Sequence, residues 1–182
     1  VLVIKEKENT MFRFLTIFVL VIALLAGPNV FADENKPNIE SIFYSGFKTI
    51  ERFGLISVSL DGSAEKIGLK KEDLTDYLRL RFKNSFAGMW FKEPENLWET
   101  IQSKEKAAKI GDIHVNVWTV GDDFPIAYHI AINAGNLANG REYENAFLGY
   151  GSKRNVPDSV RESISQLIDD LAVAFFKARS EL

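Results

Sequence analysis

Three runs of alternating residues joined by two turns commit this chain to a sheet with one buried face. Ile113, Val115, Val117 and Thr119 alternate with His114, Asn116, Trp118 and Val120. After Gly121-Asp122-Asp123-Phe124-Pro125 the alternation resumes at Ile126, Tyr128, Ile130 and Ile132. A period of two places each set on its own side of a strand, and the intervening Gly, Asp and Pro supply turn chemistry. Asn139-Gly140, the strongest two-residue hairpin signal, then separates residues 133–138 from 141–151. The three runs therefore predict an antiparallel meander. A four-residue connection opposes Val120 to Pro125 and Asn116 to His129. Pairing through Asn139-Gly140 sets Tyr150 and Leu148 beside His129 and Ala131, with the apolar sets sharing one face.

Helices are expected to cover that face. Leu74, Tyr77, Leu78, Arg81 and Phe82 recur at helical spacing and predict a helix over 71–84, with Arg81 snorkelling at the stripe's edge. Val160, Ile164, Leu167, Ile168, Leu171, Phe175 and Ala178 form a longer stripe, predicting a C-terminal helix over 158–181 with a Ser159/Glu162 capping box. Ile56, Val58 and Leu60 alternate with Ser57 and Ser59, so 53–60 reads as a further strand closed by Asp61-Gly62. Gly88–Phe91 reads as a short strand, and residues 96–101 as one or two helical turns. The expected fold is α+β: a two-layer arrangement with a mostly antiparallel sheet of about four to five strands, covered on one face by the two helices.

Met11 to Ala32 reads as a removable export signal. Arg13 gives a positive start, Phe14–Ala26 is apolar except for Thr16, Gly27-Pro28 ends it, and Val30-Phe31-Ala32 suits cleavage after Ala32. The run is shorter than the roughly 20 apolar residues of a membrane span. Residues 1–10 read as a start-site extension, 11–32 as signal peptide and 33–182 as a single α+β domain, periplasmic or secreted. Leu25-Ala26-Gly27 resembles a lipoprotein cleavage site, but Pro28 stands where cysteine is required, and the chain has no cysteine. No lipid or membrane anchor is expected after cleavage, nor any disulfide framework. Removing 1–32 takes away Lys5, Lys7, Arg13, Glu6 and Glu8 and leaves a formal net charge of about −4. That balance lacks the basic footprint of a nucleic-acid binder.

The two histidines, His114 and His129, titrate near neutrality without help and fall on the same sheet face. A metal or acid–base pair would use them with Asp122, Asp123 or Glu144. Neither a His-x-His nor a His-Glu-x-x-His spacing is present, and polar-face histidines are commonly just solvated. Gly149-Tyr150-Gly151-Ser152-Lys153 lacks the Walker pattern and ends a strand, so it reads as strand irregularity followed by a loop. Asp122-Asp123 lacks the spacing of a calcium loop. No catalytic residue, metal or cofactor is predicted. The non-core face, by contrast, gathers Trp118, Tyr150 and Leu148 with His114 and His129, a composition enriched at protein interfaces. Phe43, Phe47, Trp90, Phe91 or Trp98 would have to cover it otherwise.

Gly68-Leu69-Lys70-Lys71-Glu72-Asp73-Leu74, running on to Leu78-Arg79-Leu80-Arg81, resembles the first helix of small exported bacterial α+β proteins of unknown function. There a Gly-Leu-Thr-like opening precedes a helix ending in Leu-Arg-Leu-Arg. The Ile113–Val117 strand, the Asn139-Gly140-Arg141 turn and the terminal helix follow in the same order. The resemblance spans residues 53–178. Lys70 replaces the usual Thr cap, and residues 86–112 match poorly. It implies a shared fold and export, with no activity and no site residues. The expected function is a non-enzymatic interaction module that binds another envelope component through Trp118, His129, Tyr150 and His114. The alternative is a carrier of an apolar small molecule, held between sheet and C-terminal helix by Phe175, Tyr128 and Phe147. A hydrolase using His114 or His129 is a third reading, with no substrate indicated.

Overall fold

A computed structural model describes residues Tyr44–Ser180, all within the unit that runs from Asn38 to Leu182. The start-site extension, the signal peptide, Phe43 and Glu181, the last residue of the expected terminal helix, lie outside the described residues. Four strands form one sheet in the order β1-β2-β3-β4: β1 (Arg52–Gly62), β2 (Ile110–Val120), β3 (Ile126–Asn136) and β4 (Gly140–Gly151). The helices are α1 (Lys71–Ser85), α2 (Leu97–Gln102), α3 (Lys104–Ala108) and α4 (Val156–Ser180). None of the described helices is long and apolar enough to cross a membrane.

The alternating apolar sets meet across the sheet as their period requires. Ile56 pairs with Ile113 and Val58 with Val115. Ile113, Val115 and Val117 face Ala134, Ile132 and Ile130. α1 contributes Leu74, Leu78 and Phe82 to this layer, and every residue of the predicted α4 stripe is buried. Phe175 lies at the centre of a ring cluster, 5.3 Å from Phe47, 5.5 Å from Phe53 and 5.4 Å from Phe86 between centroids. Two charged groups tie the helices down at the edges. Arg81 pairs with Asp169 on α4 at 2.7 Å. Near the end of α4, Arg179 donates to the Phe47 and Ile50 carbonyls at 3.0 and 2.6 Å.

The sheet is mixed rather than wholly antiparallel. β1 pairs with β2 in parallel, and β2-β3-β4 form the antiparallel meander. The long 63–109 crossover makes the parallel step possible, because it returns the chain to the end where β1 began. Both hairpin registers differ from expectation by two residues. Val120 opposes Ala127, so Trp118 rather than Asn116 faces His129. The second turn is longer than Asn139-Gly140 alone, because the Asn136 side chain accepts from the Ala138 and Asn139 amides and Gly140 already pairs back to Asn136. Leu148 therefore faces His129, and Tyr150 faces Ala127. A shift of two keeps every side chain on its expected face.

Three smaller expectations also change. α4 starts at Val156 with Pro157 next, where proline suits a first helical turn, so Ser159 lies inside the helix and the capping box does not form. The Ser152 carbonyl instead accepts from the Asn155 and Val156 amides at 2.9 and 3.0 Å. The Gly88–Phe91 strand reduces to one parallel bridge between Phe91 and Phe53. Phe47 belongs to the helix-side core, while Trp90 and Trp98 remain exposed. Of the residues expected to line a carrier cavity, Phe175 is enclosed by rings. Tyr128 is buried and stacked with Phe147 at 6.3 Å.

Candidate binding face of the sheet

The face opposite α1 and α4 is laid out by cross-strand pairing. One row runs Asp112-Gly135-Arg141 and the next Ser57-His114-Asn133-Glu144. Then come Ser59-Asn116-Ala131-Ala146, Asp61-Trp118-His129-Leu148 and finally Val120-Ala127-Tyr150. The face has two halves because polar residues occupy the rows nearest the start of β2 and apolar ones the rows nearest its end. Trp118 is 50% exposed, Leu148 74% and Tyr150 77%.

Each predicted site residue lies on this face. Trp118 and His129 are direct cross-strand partners, and Tyr150 stands one row beyond them. His114 lies two rows from Trp118, in the polar half. Its ring sits between two serines of β1: Ser57 Oγ is 2.9 Å from Nδ1 and Ser59 Oγ 3.1 Å from Nε2. A neutral imidazole meets both by donating to one and accepting from the other. Burial lowers the His114 pKa, and the positive charges of Arg141 and Lys71 lower it further. A hydrolytic triad needs an imidazole bridging a hydroxyl and a carboxylate. Here both ring nitrogens end on serines, and Asp112, two residues away on β2, is not their partner. Among the described residues no group of three His, Asp or Glu side chains is arranged to hold a metal ion.

Three residues of the polar half were absent from the sequence-derived set. Burial pushes the Asp112 carboxyl up to about 6, against the lowering effects of its backbone hydrogen bond and of Arg141. Asn133 is only 8% exposed, and its Oδ1 has no hydrogen-bond partner among the described residues; nor does Oδ1 of Asn116. The polar positions of the alternation were readable from the sequence. Their burial was not, because it is set by neighbours on other strands.

Asp112 carries a stability prediction. Its folded pKa lies above the ordinary 3.8, so the folded state holds a proton that the unfolded chain releases between pH 4 and 6. Stability therefore falls as pH rises through that window, and the full penalty applies above pH 6. Asp112→Asn removes the titrating charge and is expected to raise stability at pH 7.5 by about 1–2 kcal/mol, with allowance for the part of the carboxyl that water still reaches. At pH 3.5 the two proteins should unfold alike. Urea titrations at both pH values check this, and an equal difference at each would sink the assignment.

A separate surface cleft of about 340 Å³ is bounded by Arg52, Lys92, Glu93, Asn96, Glu99 and Lys106. None of the predicted site residues reaches it. Its charges are of both signs, which is the composition of a solvated surface. Neither a protein-family model nor a curated protein matches the chain. Among solved structures, a PelC dodecamer from Paraburkholderia phytofirmans aligns over 66% of this chain and 87% of its own, with 12% identity and a TM-score of 0.44. A point variant of that protein aligns over the same shares with 9% identity and a TM-score of 0.45.

Proposed function

We propose that this chain is an exported, non-enzymatic interaction module that binds another component of the cell envelope through the outer face of its sheet. The observation that supports this most directly is the apolar half of that face. Trp118 and Val120 on β2 and Leu148 and Tyr150 on β4 are exposed and flank His129 and Ala127 of β3, on a sheet whose other face is already filled by α1 and α4. Exposed aromatic and aliphatic groups held on rigid strands lose little entropy when a partner covers them, and Trp and Tyr are frequent anchors of binding energy. Export rests on the Met11–Ala32 pattern, and the non-enzymatic reading on His114 being held by two serines.

The test is quantitative capture. The chain is expressed in its own host, its partner is cross-linked and identified, and affinity is then measured with purified components. Trp118→Ala with Tyr150→Ala is expected to weaken binding by about 30-fold or more, corresponding to loss of about 2 kcal/mol or more at an interface centre. Thermal unfolding should not change, since both side chains are exposed. Undiminished affinity in the double variant would move the interface elsewhere.

A further inference from the structure

β4 is the last strand of the sheet, and the direction of its main-chain groups follows from the ladder. The Leu137 amide donates to the Ile110 carbonyl at 3.0 Å, one step beyond the pairing of Gly111 with Asn136. Along an antiparallel strand the two bonding directions alternate, so odd-numbered residues of β3 bond to β2 and even-numbered ones to β4. Tyr128 with Gly149, Ile130 with Phe147 and Ile132 with Asn145 are then the bonded pairs, and they use the odd-numbered residues of β4. The amides and carbonyls of Glu144, Ala146, Leu148 and Tyr150 point the other way, off the sheet. The Ala146 amide agrees with this, since it donates to the side chain of its own neighbour, Asn145 Oδ1, at 2.8 Å. Among the described residues no main-chain partner reaches the outward groups of these four.

An edge of this kind is a template for another strand, and proteins that keep an edge solitary interrupt it with lysine, proline or a bulge. From Asn145 to Gly151 β4 carries no charge and no proline, and its register shift is confined to the start of the strand, opposite Ala134 and Gly135. The β1 edge differs, because Phe53 donates to the Trp90 carbonyl and accepts from the Lys92 amide, so the crossover already occupies it there. The charges around β4 select the occupant. Its start holds Arg141, Glu142 and Glu144 and is net negative, with Arg141 paired to Glu144 at 3.5 Å. Just past its end stand Lys153 and Arg154, both exposed and without an ion-pair partner among the described residues. Antiparallel pairing of two such strands sets the acidic start of each against the basic end of the other and lets the uncharged stretch meet itself between them. Parallel pairing would set like against like.

We propose that β4 pairs antiparallel with β4 of a second copy of this chain about a two-fold axis, joining the two sheets into one. The interface is isologous and closes at the dimer, because each copy uses up the other's β4 edge. It is made by main chain at the rim of the sheet rather than by side chains on its face, and so stands apart from the binding reading above. Its consequence for that face is continuity: Leu148 and Tyr150 of both copies come to lie on one surface.

The test is sedimentation equilibrium of the full chain purified from its host, over a range of micromolar concentrations, with amide hydrogen exchange on the same samples. A mass of two chains is expected, and the Leu148 and Tyr150 amides should gain protection in step with the dimer fraction. Ala146→Pro removes an outward amide that β3 does not use, a place where an edge strand tolerates proline. Because the change occurs once in each copy, the dimer dissociation constant should rise about 30-fold or more, as loss of a net hydrogen bond on each side implies. Leu148→Lys puts a charge into the uncharged stretch without touching the main chain. It should weaken the dimer as well, and it decides the matter if the proline variant does not fold. A single-chain mass throughout the range overturns the proposal, including the case in which the edge takes an extended segment of another protein. A dimer whose Leu148 and Tyr150 amides exchange freely, or which neither variant weakens, is joined elsewhere and overturns it too.

Discussion

Replacing Phe175 with alanine is expected to lower the unfolding free energy by about 3–5 kcal/mol, near the upper end for a single core truncation. The ring is wholly buried. Its neighbours Phe47, Phe53 and Phe86 come from the N-terminal 3-10 turn (Ser45–Thr49), from β1 and from just beyond α1. Because those elements are themselves anchored elsewhere, they cannot all move inward to close the hole. The cost of a cavity rises with the volume that fails to collapse. Arg179 also stacks over this ring, its guanidinium carbon 5.2 Å from the centroid, while it holds the carbonyls of Phe47 and Ile50. The variant should therefore loosen the attachment of the N-terminal turn as well. Urea denaturation should show a lower midpoint. A change below about 1 kcal/mol would mean that the cluster repacks, contrary to its close-packed geometry.

Gly135→Ala is expected to cost about 2–3 kcal/mol, in the range of overpacking a site that cannot yield. Gly135 lies on the outer face opposite Asp112 and next to the bulge where β3 and β4 shift register. A Cβ there would overlap the carbonyl oxygen of Gly140, which is main chain and cannot rotate out of the way. Relief requires the start of β4 to lift from β3, which would carry Arg141 away from Glu144 and Asp112. Two readouts should move together: a lower midpoint in thermal unfolding, and faster amide exchange at the β3–β4 turn. Normal exchange at that turn with unchanged stability would contradict the close approach. The effect bears on the binding face, because Gly135 and the bulge set where Arg141 and Glu144 stand relative to Asn133.

Those two sites mark a division in how this protein is encoded. The meander, α1 and α4 were legible because each is announced by a local period. Two-residue alternation in 113–132 and three-and-four spacing in 160–178 each specify which side chains share a face, whatever else the chain does. For that reason Trp118, His129, Tyr150 and His114 were correctly assigned to one face even though both hairpin registers were off by two. A shift of two moves partners without changing faces.

The registers themselves were decided by the turns. Asn136 folds its side chain back onto the amides of Ala138 and Asn139 and lengthens the second turn, a contact that residue types alone do not distinguish from a plain Asn-Gly turn. The parallel alignment of β1 with β2 was likewise invisible, since it depends on where a crossover of more than forty residues returns. The polar half of the candidate site illustrates the same limit. Asp112, Asn116 and Asn133 occupy predictable positions in the alternation. The raised pKa of Asp112 and the unpartnered oxygens of the two asparagines arise only when strands distant in sequence crowd around them. Periodicity is local, so the sequence by itself determined the elements and their faces. Burial, cross-strand partners and the electrostatics that follow from them are sums over neighbours, and only the tertiary structure decided those.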